Sequence, residues 1–85
     1  MKPLPSFPTT FPVKVMGANK EDFESLVLEI IQKHASLDEE HMVSCRHSRG
    51  GKFLSLTVYV HAESQGQLDA IYGELSAHER VLMML

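Results

Sequence analysis

The stretch FLSLTVYVHA, residues 53–62, alternates without a break from end to end. Leu54, Leu56, Val58 and Val60 fall on one side, and Phe53, Ser55, Thr57, Tyr59 and His61 on the other. Side chains of an extended chain point to alternate faces, so this is the pattern of a strand buried on one face only. Such a strand needs neighbouring strands for its backbone N–H and C=O groups, and an apolar layer over its Leu/Val face. The remaining residues have to supply both.

Two segments suit the layer. Phe23, Leu26, Val27, Ile30, Ile31 and His34 recur at steps of three and four, which predicts a helix over 20–35 with one apolar stripe. Asn19 is its expected N-cap, Glu21 and Asp22 place negative charge in the first turn, and Lys33 and His34 place basic groups near the other end. Leu68, Ile71, Tyr72 and Leu75 mark a second helix over 65–77, opened by the capping box SQGQ from Ser64 to Gln67. Three more strands are expected. In residues 11–16, Phe11, Val13 and Val15 face one way and Pro12, Lys14 and Met16 the other, until Gly17 ends the run. Residues 42–47 form a weaker strand with Val43 and Cys45 facing inward, and Gly50-Gly51 turns it into the 53–62 strand. RVLMML, 80–85, closes the chain, and SLDEE, 36–40, is a polar loop.

The order is βαββαβ, an α+β chain. Two one-striped helices on one face of a four-stranded antiparallel sheet make a ferredoxin-like sandwich. Its core would draw on Val13, Val15, Phe23, Val27, Ile30, Ile31, Leu54, Leu56, Val58, Leu68, Ile71 and Leu75. Residues 1–10, rich in proline, read as an extended arm pinned by Phe7 and Phe11, and residues 11–85 as one domain.

Composition narrows the function. The 85 residues suffice for one small domain with a thin stability margin. A hydrophobic content of 44% is too high for intrinsic disorder. The formal charge of −3 argues against a general nucleic-acid binder. The single cysteine, Cys45, allows no intramolecular disulfide, which fits a reducing compartment. MKPLPSFPTTFP lacks the apolar core of a signal peptide, and the expectation is a cytoplasmic protein without a membrane span.

With these elements placed, FPVKVMG near the start, IIQKHA ending the first helix, SRGGKFLSLTVYVHAES through the hairpin and QLDAIYGEL in the second helix resemble the YbeD-like family of small bacterial proteins. The likeness runs from about Phe7 to Leu85. It implies a fold similar to ACT domains, regulatory modules that bind amino acids and other small effectors, and it implies no catalytic residues. Many ACT domains hold ligands at a glycine-containing turn between the first strand and first helix, at a subunit interface. VMGANKED stands at that place, with the glycine but without the Asp-x-Pro-Gly pattern of many ligand-binding members.

The candidate sites follow. At the turn, Gly17 permits a tight strand-to-helix passage, and the backbone N–H groups of Ala18, Asn19 and Lys20 can face a small anionic effector. RHSRGGK gathers Arg46, Arg49 and Lys52 at the hairpin as an anion or partner contact, although it lacks P-loop spacing and no helix follows it. Of His34, His41, His47, His61 and His78, none forms an H-x-x-x-H pair, and there is no C-x-x-C, so neither a metal nor a cofactor is expected. No nucleophile elbow or paired carboxylate suggests catalysis, and a non-enzyme is expected. An RNA-recognition module shares this topology, but the first strand offers Lys14 and Met16 where stacking aromatics belong. Met16, Met42, Tyr59, Leu82 and Met84 would give the face away from the helices an adaptable apolar character suited to a protein partner. The sheet edge offers a second route, to a homodimer. The reading is a small regulatory or interaction module, with a pure adaptor lacking any ligand as the alternative and an RNA-binding module behind both.

Overall fold

The computed structural model describes residues 6–38 and 43–85. Residues 1–5 of the expected arm, together with His41 and Met42, lie outside them. Strand β1 runs Thr9–Ala18, helix α1 Phe23–Gln32, β2 Ser36–Leu37, β3 Val43–His47, β4 Phe53–Ala62, α2 Gln65–Ala77 and β5 Val81–Met84, with a turn of 3-10 helix at Arg49–Gly51.

β4, the alternating stretch, organises the sheet. It pairs antiparallel with β1 from Thr9–Ala62 to Ala18–Phe53. On its other side it pairs with β2 and then β3, while β5 lies outside β1. All of these pairings are antiparallel, with β5 at one edge and β2 and β3 at the other. This is the ferredoxin-like arrangement with one edge strand broken in two. Leu37 pairs with Val60 and Val43 with Val58, so on β4 only Tyr59 separates the partners of the two pieces. The sheet therefore has five strands rather than the four expected, because two paired residues are too few to leave a periodicity inside SLDEE.

The helices cover the Leu/Val face. All twelve expected core residues are buried, joined by Ala35, Val60 and Ala62. A fully buried Val, Leu, Ile or Phe side chain contributes about 1.5–3 kcal/mol, so a core of this size can offset the chain entropy of a small domain. β1 is longer than expected. Thr9 and Thr10, assigned to the arm, already pair with Ala62 and His61, and Phe7 and Phe11 pack against the core.

α2 has the expected bounds. Ser64 Oγ accepts from the Gln67 N–H at 3.2 Å. Gln67 then does double duty: its Oε1 accepts from the Glu63 N–H at 2.6 Å, and its Nε2 donates to the His34 carbonyl at 2.8 Å. α1 starts three residues later than expected and ends three earlier. Asn19 is not its cap, because the Lys20 N–H bonds Ala18 O at 2.9 Å and the Phe23 N–H bonds Lys20 O at 3.1 Å, tight turns that delay the helix. The residues just beyond α1 clasp α2. Lys33 Nζ bonds Glu74 Oε2, and His34 Nε2 lies 2.8 Å from Glu74 Oε1. His34 is thus a half-buried partner of a carboxylate rather than a simple extension of the apolar stripe. The Lys33 ammonium, and after it His34, hold the Glu74 carboxyl below its usual range.

Candidate functional site

Gly17 is a packing residue rather than a turn. It lies inside β1, buried, and it is not among the glycines with positive φ. A Cβ there would meet Phe23 Cε1 at 2.3 Å and the Arg80 carbonyl oxygen at 2.7 Å. The ring that opens α1 therefore seats directly on the β1 backbone, beside the start of β5. Arg80 adds a fork to the same corner. Its Nη1 and Nη2 donate to Asp22 Oδ2 and Oδ1 at 3.0 and 2.7 Å. The guanidinium holds the Asp22 carboxyl below its usual range, and Asp22 in turn raises Arg80.

The expected donors beside Gly17 are already occupied. The Asn19 N–H bonds Lys52 O at 2.9 Å, and the Lys20 N–H bonds Ala18 O. Ala18 pairs with Phe53 in the ladder. Asn19 Nδ2 also donates to Gly51 O at 2.8 Å. These bonds join two sequence-distant candidates, the turn after β1 and the basic hairpin, at one end of the sheet. Gly50 and Gly51 make the hairpin with φ of 84° and 72°, the left-handed region that an L side chain resists.

The hairpin cations do not act together. Arg49 and Lys52 are exposed around the tip. Arg46 is in β3, opposite Ser55, two positions along the pleat from the pair Ser44–Thr57. Because Lys14 also pairs with Thr57, Arg46 and Lys14 share the sheet face that the helices leave bare. There they line a shallow groove of about 270 Å³ with Ser44, Ser55, Thr57 and Leu85. Lys14 carried no site assignment in the sequence, because it lies 32 residues from Arg46 and only the strand order brings the two together.

Two expectations about this sheet are corrected. Cys45 is exposed, not inward. It is paired with Leu56 and so lies on the helix side, but at the edge strand, where β3 between Ser44 and His47 is exposed throughout. Met84 does not join the bare face. A bulge between Met16 and Gly17 makes Leu82 the extra residue, so Met83 pairs with Met16 on the bare face and Met84 with Val15 on the helix side. Phe53, Leu82, Met83 and Leu85 are 40, 56, 50 and 54% exposed. Among the described residues, no three His, Cys, Asp or Glu side chains come together as a metal set, and no helix is long and apolar enough to cross a membrane.

The family described as a protein of unknown function, DUF493, matches residues 2–85. The chain belongs to this family. A UPF0250 protein of Neisseria gonorrhoeae is 45% identical over 82 residues, 96% of this chain and 90% of that one. The UPF0250 protein of Ralstonia nicotianae is 39% identical over 96% of this chain and 84% of its own length, and that of Nitrosomonas europaea is 38% identical over 96% and 94%. No solved structure gives a significant match. The YbeD-like resemblance and the DUF493 match agree, and both describe small bacterial proteins without an assigned activity.

Proposed function

We propose that this DUF493 protein is a non-catalytic interaction module whose working surface is the bare face of its sheet together with the β5 edge, where a protein partner or a second copy docks. The observation that carries this reading is the exposure of Phe53, Leu82, Met83 and Leu85 on or beside that face, in a domain where most of the described large apolar side chains are in the core or packed against it. Exposed apolar side chains grouped on one surface are the mark of an interface. In this reading the module is regulatory: binding of a small ligand on the same surface tunes the partner. The alternative, an adaptor without a ligand, gains from the occupied N–H groups of Asn19 and Lys20, which leave the Gly17 turn poor in donors.

Native mass spectrometry and light scattering on the full chain test the docking surface. The wild type is expected to form a stoichiometric dimer or a complex with one retained protein. Met83→Glu is expected to disperse it without lowering the melting temperature, since Met83 is half exposed. A wild type that stays monomeric and partner-free, or a complex indifferent to Met83→Glu and Leu82→Glu, overturns the reading.

A further inference from the structure

We infer that the groove between Lys14 and Arg46 binds the phosphoryl group of a small phosphomonoester. The inference starts from how charge is distributed. The chain is acidic overall, yet among the described residues no strand contains an aspartate or glutamate. Helices α1 and α2, on the opposite face, carry Glu24, Glu29, Asp69 and Glu74. The cations divide as well. Lys33 and Arg80 are neutralised by Glu74 and Asp22. Among the described residues, Lys14 and Arg46 have no ion-pair or side-chain hydrogen-bond partner. The bare face thus holds two unneutralised cations around Thr57 and Ser55, while Asp38, whose Oδ2 accepts from Thr10 Oγ1 at 3.2 Å, lies further along β1.

The register makes that charge a site. Lys14, Thr57 and Ser44 form one row across β1, β4 and β3, and Met16, Ser55 and Arg46 form the next row on the same face. Lys14 and Arg46 are therefore diagonal corners, about 12 Å apart at Cα from the ordinary strand spacing and rise. Both side chains are long enough to lean inward and meet over the hydroxyls of Ser55 and Thr57 at the centre. A phosphoryl group placed there meets an ammonium, a planar guanidinium fork and up to three hydroxyl donors. Leu85, whose N–H bonds Lys14 O at 2.9 Å, forms an apolar wall beside it. A volume of about 270 Å³ has room for the phosphate and a small organic remainder. A nucleic-acid strand fits less well, because it needs cations repeated along a track and this groove offers two.

The inference rests on the bare face being the working surface, and the test separates the two. The 15N-labelled full chain is titrated with inorganic phosphate and with glycerol 2-phosphate, against sodium chloride at equal ionic strength. Saturable amide shifts are expected at Lys14, Ser44, Ser55 and Thr57, with an apparent Kd of about 1 mM or tighter. Lys14→Gln and Arg46→Gln are each expected to weaken binding about ten-fold, the scale of one charge-assisted hydrogen bond. Arg49→Gln and Lys52→Gln, at the hairpin tip, are expected to change it less than about two-fold, as exposed charges do. Several outcomes overturn the phosphoryl site: no saturable shift at about 10 mM phosphate, equal losses from the tip variants, or tighter binding of a uridine hexanucleotide than of glycerol phosphate. If phosphate fails while Met83→Glu still disperses a complex, the docking reading stands without this ligand. If phosphate binds and no complex forms, the site stands and the docking reading falls.

Discussion

Gly17→Ala is the sharpest test of how the first helix is seated. In a strand with room for a methyl group, alanine is favoured over glycine by about 0.4–1 kcal/mol, because the unfolded chain has fewer conformations to lose. Here the added Cβ would lie 2.3 and 2.4 Å from two ring carbons of Phe23 and 2.7 Å from the Arg80 carbonyl oxygen. The ring is fully buried between the helices and the sheet, and the carbonyl is backbone, so neither contact relaxes by rotating a flexible chain end. Overpacking of this kind costs about 1–3 kcal/mol. Allowing for the entropic gain, the net loss is about 1.3 kcal/mol, or roughly 5–10 °C in melting temperature for a domain of this size. Urea titration at fixed pH reads it as a lower midpoint with an unchanged slope. Phe23→Leu in the same chain supplies the cross-check. Removing the ring should recover about 1 kcal/mol of the alanine penalty in a double-mutant cycle, and not all of it, because the Arg80 carbonyl stays in place. An alanine variant as stable as the wild type, or additive with Phe23→Leu, refutes the packing argument. The same geometry makes Gly17→Val a poor probe of ligand binding, since it would disturb the fold itself.

Three further predictions follow from the structure. Asp22 and Glu74 are held below their ordinary values of 3.8 and 4.5, so their contribution is present above those values and lost as pH falls through the depressed folded ones; the urea midpoint should drop below about pH 4.5, and an Asp22→Asn/Glu74→Gln variant with the same acid slope as wild type would remove these pairs from the account. Cys45 is exposed, so a thiol reagent should label the native protein to one equivalent without prior unfolding; labelling seen only in denaturant would return it to the interior. Gly50→Ala and Gly51→Ala each force an L side chain into positive φ, and each should cost about 1 kcal/mol in chemical denaturation although nothing crowds either position; a stabilised variant would show that the hairpin does not need this turn.

What was legible in the sequence was whatever periodicity and local chemistry encode. The β4 alternation, both apolar stripes, the Ser64 cap and the Gly-Gly hairpin are all where the residues place them. Less legible was what depends on contacts between distant segments. Asn19 has the chemistry of an N-cap, but the hairpin carbonyls of Gly51 and Lys52 take its donors. Gly17 looks like punctuation, and only the position of Phe23 and Arg80 shows why a side chain is forbidden there. The β5 assignment was right as a strand and wrong in register, because one bulge residue, Leu82, exchanges Met83 for Met84 on the bare face. Cys45 keeps the expected side of the sheet and loses the expected burial, since strand parity does not say how far a helix layer reaches.

Net charge was the most misleading summary. A value of −3 argues against a general nucleic-acid binder, but it averages over two faces that a ligand never meets together. Among the described residues, Glu24, Glu29, Asp69 and Glu74 are on the helices, and Glu74 and Asp22 bind Lys33 and Arg80. The described strands carry no aspartate or glutamate, and Lys14 and Arg46 keep their charge unneutralised beside three hydroxyls. At an ionic strength near physiological, charges more than about 8 Å apart across solvent are largely screened from one another, and the helix carboxylates stand a full layer away, about 10 Å or more behind the sheet. An anion at the groove therefore meets the two nearby cations far more strongly than the helix carboxylates. The same segregation argues against a ligand at the Gly17 turn, where Asp22 stands between the occupied Asn19 and Lys20 N–H groups and the Arg80 fork, and it moves the search for a ligand from the end of the sheet to its face.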